Sequence, residues 1–299
     1  MLWIGTSWKM NGTAKSARAF CAALVSADLA SWQGVQAFVI PPATLIRETR
    51  AVLGASSGVL VGAQNAHWAD SGAWTGEISV AQMADAGADL VEIGHSERRE
   101  HFGETDRTVN LKVKSVLAHG LRPLVCVGEP REVFDAGRST SHVCEQVDAA
   151  LDGVRDTSQV LLAYEPIWAI GENGRQPAHG EIDATCEVLA ARFGSSTQAL
   201  LYGGSVSPQT ATRLLELPGV SGLFVGRAAW HAAGFLEILR LARQVAAAAS
   251  SEEGASVTAR QPVAGAVLVP GDGHQTDGGR QGTPVAAGAP GRQVGGSQE

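Results

Sequence analysis

Three residues lying far apart in the chain, Lys9, His95 and Glu165, have side chains that together can move a proton beside a carbonyl group. Lys9 sits in TSWKMNG, His95 in EIGHSERRE and Glu165 in AYEPIWAIG, each just past a short apolar run. A carboxylate can take a proton from carbon, while a neutral imidazole and an ammonium stabilise the charge that develops on oxygen. Two glycine turns, YGGSV (202–206) and VGR (225–227), bring backbone N–H groups that can donate to a phosphate, because glycine lets the main chain approach closely. The same carboxylate can return the proton to the neighbouring carbon. This set therefore fits proton abstraction beside a carbonyl in a phosphorylated substrate, a reaction that needs no metal and no organic cofactor. Taken singly, each residue has a plainer reading. Lys9 is a solvated lysine at a strand end, His95 a structural histidine, Glu165 a turn residue before Pro166, and YGGS one glycine turn among many. The functional case rests on their order.

That order comes from the elements that carry them. Apolar runs at 2–5, 35–40, 59–64, 90–94, 122–128, 160–165, 199–204 and 222–226 alternate with helix-period stretches such as AKSARAFCAALVSA, TDRTVNLKVKSVLAHG and EIDATCEVLAARF. The runs are short, apolar on both faces and rich in Val, Ile and Leu, as strands of a buried parallel sheet are. Eight such βα units in about 245 residues predict an α/β fold, a closed (β/α)8 barrel whose functional groups gather at the carboxyl ends of the strands. Lys9, His95, Glu165 and the two glycine turns follow strands one, four, six, seven and eight, so one mouth would hold them all. A doubly wound open sheet is the alternative, although no GxGxxG follows an early strand.

Composition narrows the class. The chain has 299 residues, enough for one large barrel, with 44% apolar and 18% charged residues. A net charge of −7 argues against a general nucleic-acid binder. Cys21, Cys126, Cys144 and Cys186 show no metal-ligand spacing and read as reduced thiols of a cytoplasmic protein. No run reaches the roughly 18 apolar residues of a membrane helix. AFCAALVSA (19–27) imitates a signal peptide but reads as part of a first helix. The barrel domain is expected over residues 1–249. Residues 250–299, rich in Gly, Pro, Gln and Ala, read as a disordered low-complexity tail.

Taken together, SWKMNG, GHSERR, AYEPIWAIG and YGGSV resemble the signatures of triosephosphate isomerase, over about residues 2–247. The resemblance implies a mechanism with a glutamate base and a neutral histidine beneath a closing loop, the arrangement known for that family. It makes Lys9 the electrostatic residue, His95 the electrophile, Glu165 the base, and Glu97 the partner of the lysine. A helix over SERREHF, just after His95, would disfavour imidazolium. PIWAIGENG (166–174) would be the lid, and the N–H groups of Gly171, Ser205, Gly226 and Arg227 would hold phosphate. A homodimer is also implied, through the loop NAHWADSGAWTGEIS (65–79) with Thr75 near its tip. His67, His101, His119 and His142 are left structural.

Four departures surround the expected mouth. Ser7 stands where triosephosphate isomerases nearly always have asparagine, the lid continues ENGRQPA, the last turn reads VGRAAW, and loop 65–79 carries HWADSGAW with Trp74. These features resemble a sister group, the L-erythrulose-1-phosphate isomerases of erythritol breakdown. For this group the expected reaction moves a carbonyl from C2 to C3 of a four-carbon ketose phosphate, with Ser7 making room for the extra hydroxymethyl group. The alternatives are a triosephosphate isomerase of glycolysis and a catalytically inactive binding barrel. The Arg227 side chain either adds charge at the phosphate or points to solvent.

Overall fold

Each apolar run becomes a strand, and the pairing of the first with the last decides the topology. The computed structural model describes residues 1–258 apart from 172, 173 and 179. Its strands are β1 (Leu2–Ser7), β2 (Val35–Ile40), β3 (Val59–Ala63), β4 (Leu90–Ile93), β5 (Arg122–Val127), β6 (Leu161–Tyr164), β7 (Ala199–Tyr202) and β8 (Gly222–Val225). Neighbours pair in parallel, and β1 pairs with β8 as well as β2, from Trp3↔Gly222 to Thr6↔Val225. The barrel is closed, and the open-sheet alternative is excluded.

Helices fill the outside: α1 (Ala14–Ser26), α2 (Ile46–Leu53), α3 (Val80–Asp85), α4 (Ser96–Phe102), α5 (Asp106–Ala118), α6 (Arg131–Asp135), α7 (Ser139–Leu151), α8 (Asp183–Phe193), α9 (Pro208–Leu215) and α10 (Ala232–Thr258). The start of α1 shows why. Thr13 caps it by accepting the Ser16 N–H, and Ser16 returns a bond to the Thr13 backbone. Ala17, Phe20, Cys21 and Leu24, spaced at three and four residues, then turn to the core. AFCAALVSA therefore lies within a core-packing helix and the loop residue after it. The final helix continues past the boundary expected at 249, to Thr258. Residues 259–299, which hold the rest of the expected tail, lie outside the described residues.

The pleat sends alternate strand residues to opposite faces. Trp3, Phe38, Leu90, Leu124, Leu161, Leu201 and Phe224 fill the barrel interior, while Ile4, Val39, Val61, Val91 and Val125 pack outward against helices. Full burial of such side chains stabilises the fold by about 1.5–3 kcal/mol each. Gly5 leaves room inside for the Phe38 ring, which would lie 1.9 Å from a Cβ at that position.

The loops at the carboxyl ends are held by buried polar groups. Lys112 of α5 donates to Glu104 and to Asn65, each at 2.8 Å, and Arg98 of α4 donates to Glu104 at 3.1 Å. This network ties the loop after β3 to the segment after β4. Within the β3 loop the His67 ring stacks against Trp68 and Trp74, with centroids 4.1 and 4.4 Å away. Residues 70–77 of the loop are exposed.

Candidate active site

The carboxyl ends of the strands deliver the expected residues to one cavity of about 330 Å³. Its lining includes Ser7, Lys9, His95, Glu97, Glu165, Gly171, Gly203, Ser205, Gly226 and Arg227. The candidate catalytic and phosphate-binding residues named from the sequence are among them. A neighbouring cavity of about 270 Å³, between Trp8, Phe20 and Trp230, has His231 as its one titratable lining residue.

Backbone geometry at the mouth is unusual. Among the described non-glycine residues, φ is positive at Lys9 (52°), Asp28 (50°) and Ser205 (49°), and two of these three line the cavity. Such a conformation costs on the order of 1–3 kcal/mol unless its surroundings hold it. The Lys9 carbonyl accepts from Gln64 Nε2 at 2.8 Å, and Ser205 Oγ donates to the Ala169 carbonyl at 2.6 Å. The ammonium of Lys9 is paired with Glu97 Oε1 at 2.5 Å.

His95 is the N-cap of α4, and its ring is fixed by that role. Its Nδ1 accepts the Glu97 backbone N–H at 3.2 Å. A ring nitrogen that accepts carries no proton, so the neutral imidazole holds its proton on Nε2. Nε2 faces the cavity side, 3.6 Å from Glu165 Oε2. Burial and then the charge of Lys9 lower the His95 pKa to about 4, against the opposing pull of Glu97. The ring is therefore neutral at physiological pH.

Glu165 is raised to about 7, mainly by burial, with Lys9 and the Cys126 thiol opposing the shift. Its Oε2 has no hydrogen-bond partner among the described residues. Two glycines make its position possible. A Cβ at Gly128 would come within 1.9 Å of the Glu165 carbonyl oxygen, and one at Gly203 within 2.6 Å of its side chain. Beyond Glu165, the Trp168 indole donates to buried Glu129 at 2.9 Å, anchoring the start of the expected lid. Of that lid, Glu172 and Asn173 lie outside the described residues.

The Arg227 side chain makes a contact with backbone. Its Nη2 donates to the Gly171 carbonyl at 3.0 Å, so the exposed side chain reaches back to the segment after β6. Three further residues at the site escaped the sequence reading. Trp230 Nε1 donates to the Ser7 carbonyl at 3.0 Å. The buried Cys126 thiol lies beside Glu165. Glu92 is buried beside Ser7 and Glu165. Only Glu92 left a signal, a single carboxylate inside the apolar run LVEIG.

A parallel barrel whose mouth combines an ammonium, a neutral imidazole and an up-shifted carboxyl defines a (β/α)8 enzyme built for proton transfer between adjacent carbons. The family model for triosephosphate isomerase matches residues 2–242. The chain belongs to the triosephosphate isomerase family and is an isomerase. Among its relatives, the L-erythrulose-1-phosphate isomerase of Mycolicibacterium smegmatis is 52% identical over 244 residues, covering 81% of this chain and 93% of the relative. That of Rhizobium meliloti is 49% identical over 251 residues, covering 82% and 98%. The crystal structure of triosephosphate isomerase from Bartonella henselae superposes with a TM-score of 0.72 at 33% identity, covering 81% of this chain and 99% of that one.

Proposed function

We propose that this enzyme converts L-erythrulose 1-phosphate to D-erythrulose 4-phosphate through an enediol(ate), without a cofactor. The observation that carries the reading is Ser7, a short hydroxyl side chain on the cavity floor beside Lys9, His95 and Glu165. Relatives about half identical to this chain and bearing that activity as their name support it.

In this reading Glu165 removes the proton from C3, the carbon that carries the extra hydroxymethyl group. His95 Nε2–H and the Lys9 ammonium stabilise the negative charge that develops on the substrate oxygens. Glu165 then returns the proton to C2, and the carbonyl has moved to C3. The backbone N–H groups of Gly171, Ser205, Gly226 and Arg227 bind the phosphate, and Glu97 holds the lysine. Ser7 leaves space for the hydroxymethyl group and offers it a hydrogen bond. The protein is read as a cytoplasmic homodimer. The four free, buried cysteines and the exposed residues 70–77 of loop 65–79, with Trp74 half exposed, support that reading.

The test is a direct assay of the purified full chain on two substrates. L-erythrulose 1-phosphate is followed by NMR, and dihydroxyacetone phosphate by a coupled dehydrogenase. Strong turnover of the four-carbon ketose is expected. Turnover of the three-carbon ketose alone would make this a triosephosphate isomerase, and turnover of neither would leave an inactive barrel.

A further inference from the structure

The stretch ENGRQPA, one of the four departures at the mouth, has no part in the mechanism above, yet its Arg175 closes a staple beside the site. The Arg175 backbone N–H donates to the Trp168 carbonyl at 3.0 Å, and its guanidinium lies over the Trp168 indole, 4.8 Å from the ring centroid. Two bonds to one carboxylate hold that guanidinium: Nη1 donates to Glu181 Oε2 at 2.7 Å and Nη2 to Glu181 Oε1 at 2.9 Å. Glu181 is itself placed by the Ala178 N–H, which donates to its Oε2 at 2.6 Å. Trp168 is fixed from other directions too. Its indole donates to buried Glu129 at 2.9 Å, and its ring meets Phe134 of α6 with centroids 4.4 Å apart. Trp168 and Arg175 thus join the two ends of the segment that carries Gly171, whose carbonyl also accepts from Arg227.

We propose that Arg175 is a positioning residue: by pinning the chain after Gly171 to Trp168, it holds the Gly171 backbone N–H ready for the substrate phosphate. The inference rests on the phosphate role given to Gly171 in the function proposed above. A backbone N–H in a segment with free ends loses conformational freedom when phosphate binds, and that loss weakens binding. A segment tied at both ends has given up most of that freedom in advance. Arginine suits the task. Its planar fork matches the Glu181 carboxylate with two bonds while its face stays on the indole, whereas an ammonium makes only point contacts. The phosphate is the part of the substrate that proton transfer leaves unchanged. A group that orders its binding site therefore favours ground state and transition state alike, and its loss falls on KM rather than kcat.

The experiment compares wild type with Arg175→Met, Arg175→Lys and Glu181→Gln in the full chain. It measures steady-state kinetics on L-erythrulose 1-phosphate and the affinity for 2-phosphoglycolate, a phosphorylated enediolate mimic. R175M keeps a long side chain but loses the charge and both bonds to Glu181. It should raise KM and weaken 2-phosphoglycolate binding by about three- to tenfold, with kcat within about twofold. R175K keeps a cation and should fall between R175M and wild type. In the R175M background, E181Q should add little further loss, because Glu181 acts through Arg175. Arg175 is exposed, so all three variants should melt within about 2 °C of wild type. The proposal is overturned if R175M binds 2-phosphoglycolate as wild type does, if its loss falls on kcat, if R175K is no better than R175M, or if the R175M and E181Q losses simply add. Wild type that turns over only dihydroxyacetone phosphate would overturn the substrate proposed above, and the mimic would still decide the role of Arg175. Wild type that fails to bind the mimic would remove the phosphate site, and this proposal with it.

Discussion

His95 Nε2 lies 3.6 Å from Glu165 Oε2, and the two side chains are almost completely buried. A proton donor and a proton acceptor therefore face one another without forming a hydrogen bond. The donor is fixed by the tautomer: Nδ1 accepts from the Glu97 backbone, which leaves the proton on Nε2. The acceptor is a carboxylate raised toward neutrality by burial. Such a pair is poised to handle oxygen and carbon of one substrate placed between them.

The first prediction concerns pH. Glu165 must be ionised to act as base, and its pKa is raised to about 7. Below that point kcat/KM should fall by about tenfold per pH unit. His95, lowered to about 4, should add no limb between pH 5 and 9. A kcat/KM profile that stays flat from pH 8 down to 5.5 would contradict the assignment of Glu165.

Ser7→Asn restores the larger amide at the pocket floor. The four-carbon kcat/KM should drop by about tenfold or more, as crowding of one extra group in a shaped pocket does. Steady-state kinetics on both ketose phosphates decides this. Unchanged four-carbon activity would mean that Ser7 does not make the room.

Arg227→Ala removes the bond from the guanidinium to the Gly171 carbonyl. An exposed hydrogen bond contributes about 0.5–1.5 kcal/mol, so KM should rise by about three- to tenfold while kcat stays within about twofold. An unaltered KM would show that this contact does not help to hold the phosphate site together.

Lys112→Met strips the buried Glu104 carboxylate of its lysine and leaves it only Arg98. Breaking a buried pair on one side costs about 3–5 kcal/mol. At about 2–4 °C per kcal/mol for a chain of this size, the melting temperature should fall by about 6 °C or more in calorimetry. A melting temperature unchanged within error would refute the structural role given to this network.

Glu92 also links pH to stability. Its folded pKa is raised from 4.5 to about 8, chiefly by burial. For a raised carboxyl, the stabilising preference for the protonated form is fully present below the unfolded value and is lost as pH rises through the folded value. Glu92→Leu carries no such loss. Its melting temperature should exceed that of wild type at pH 8 by about 9 °C or more, and the gap should shrink toward pH 4.5. A gap independent of pH would mean that Glu92 keeps an ordinary pKa in the fold.

The strands, their order and the residues after them were readable from composition and periodicity. Eight Val-, Ile- and Leu-rich runs became eight strands, with ends within two residues of the reading. Both ends of the β4–α4 connection were visible, because SERREHF is a complete short helix ended by Gly103. The domain boundary was set at 249, where the alanine- and serine-rich stretch after Val245 offers no apolar stripe to follow, and α10 runs on to Thr258.

What the sequence by itself determined is local. Hydrophobic period sets the elements, and glycine and polar residues at their ends mark where Lys9, His95, Glu165 and the phosphate turns fall. What only the tertiary structure decided is which atoms meet. Closure of β1 on β8 brings Trp230 to the Ser7 carbonyl across 223 positions of chain. The inward pleat of β4 buries Glu92 in the barrel interior, and the start of α4 fixes the proton on His95 Nε2. The reason is physical. Burial and electric field at a side chain depend on neighbours brought together in space, and no short window of sequence contains them.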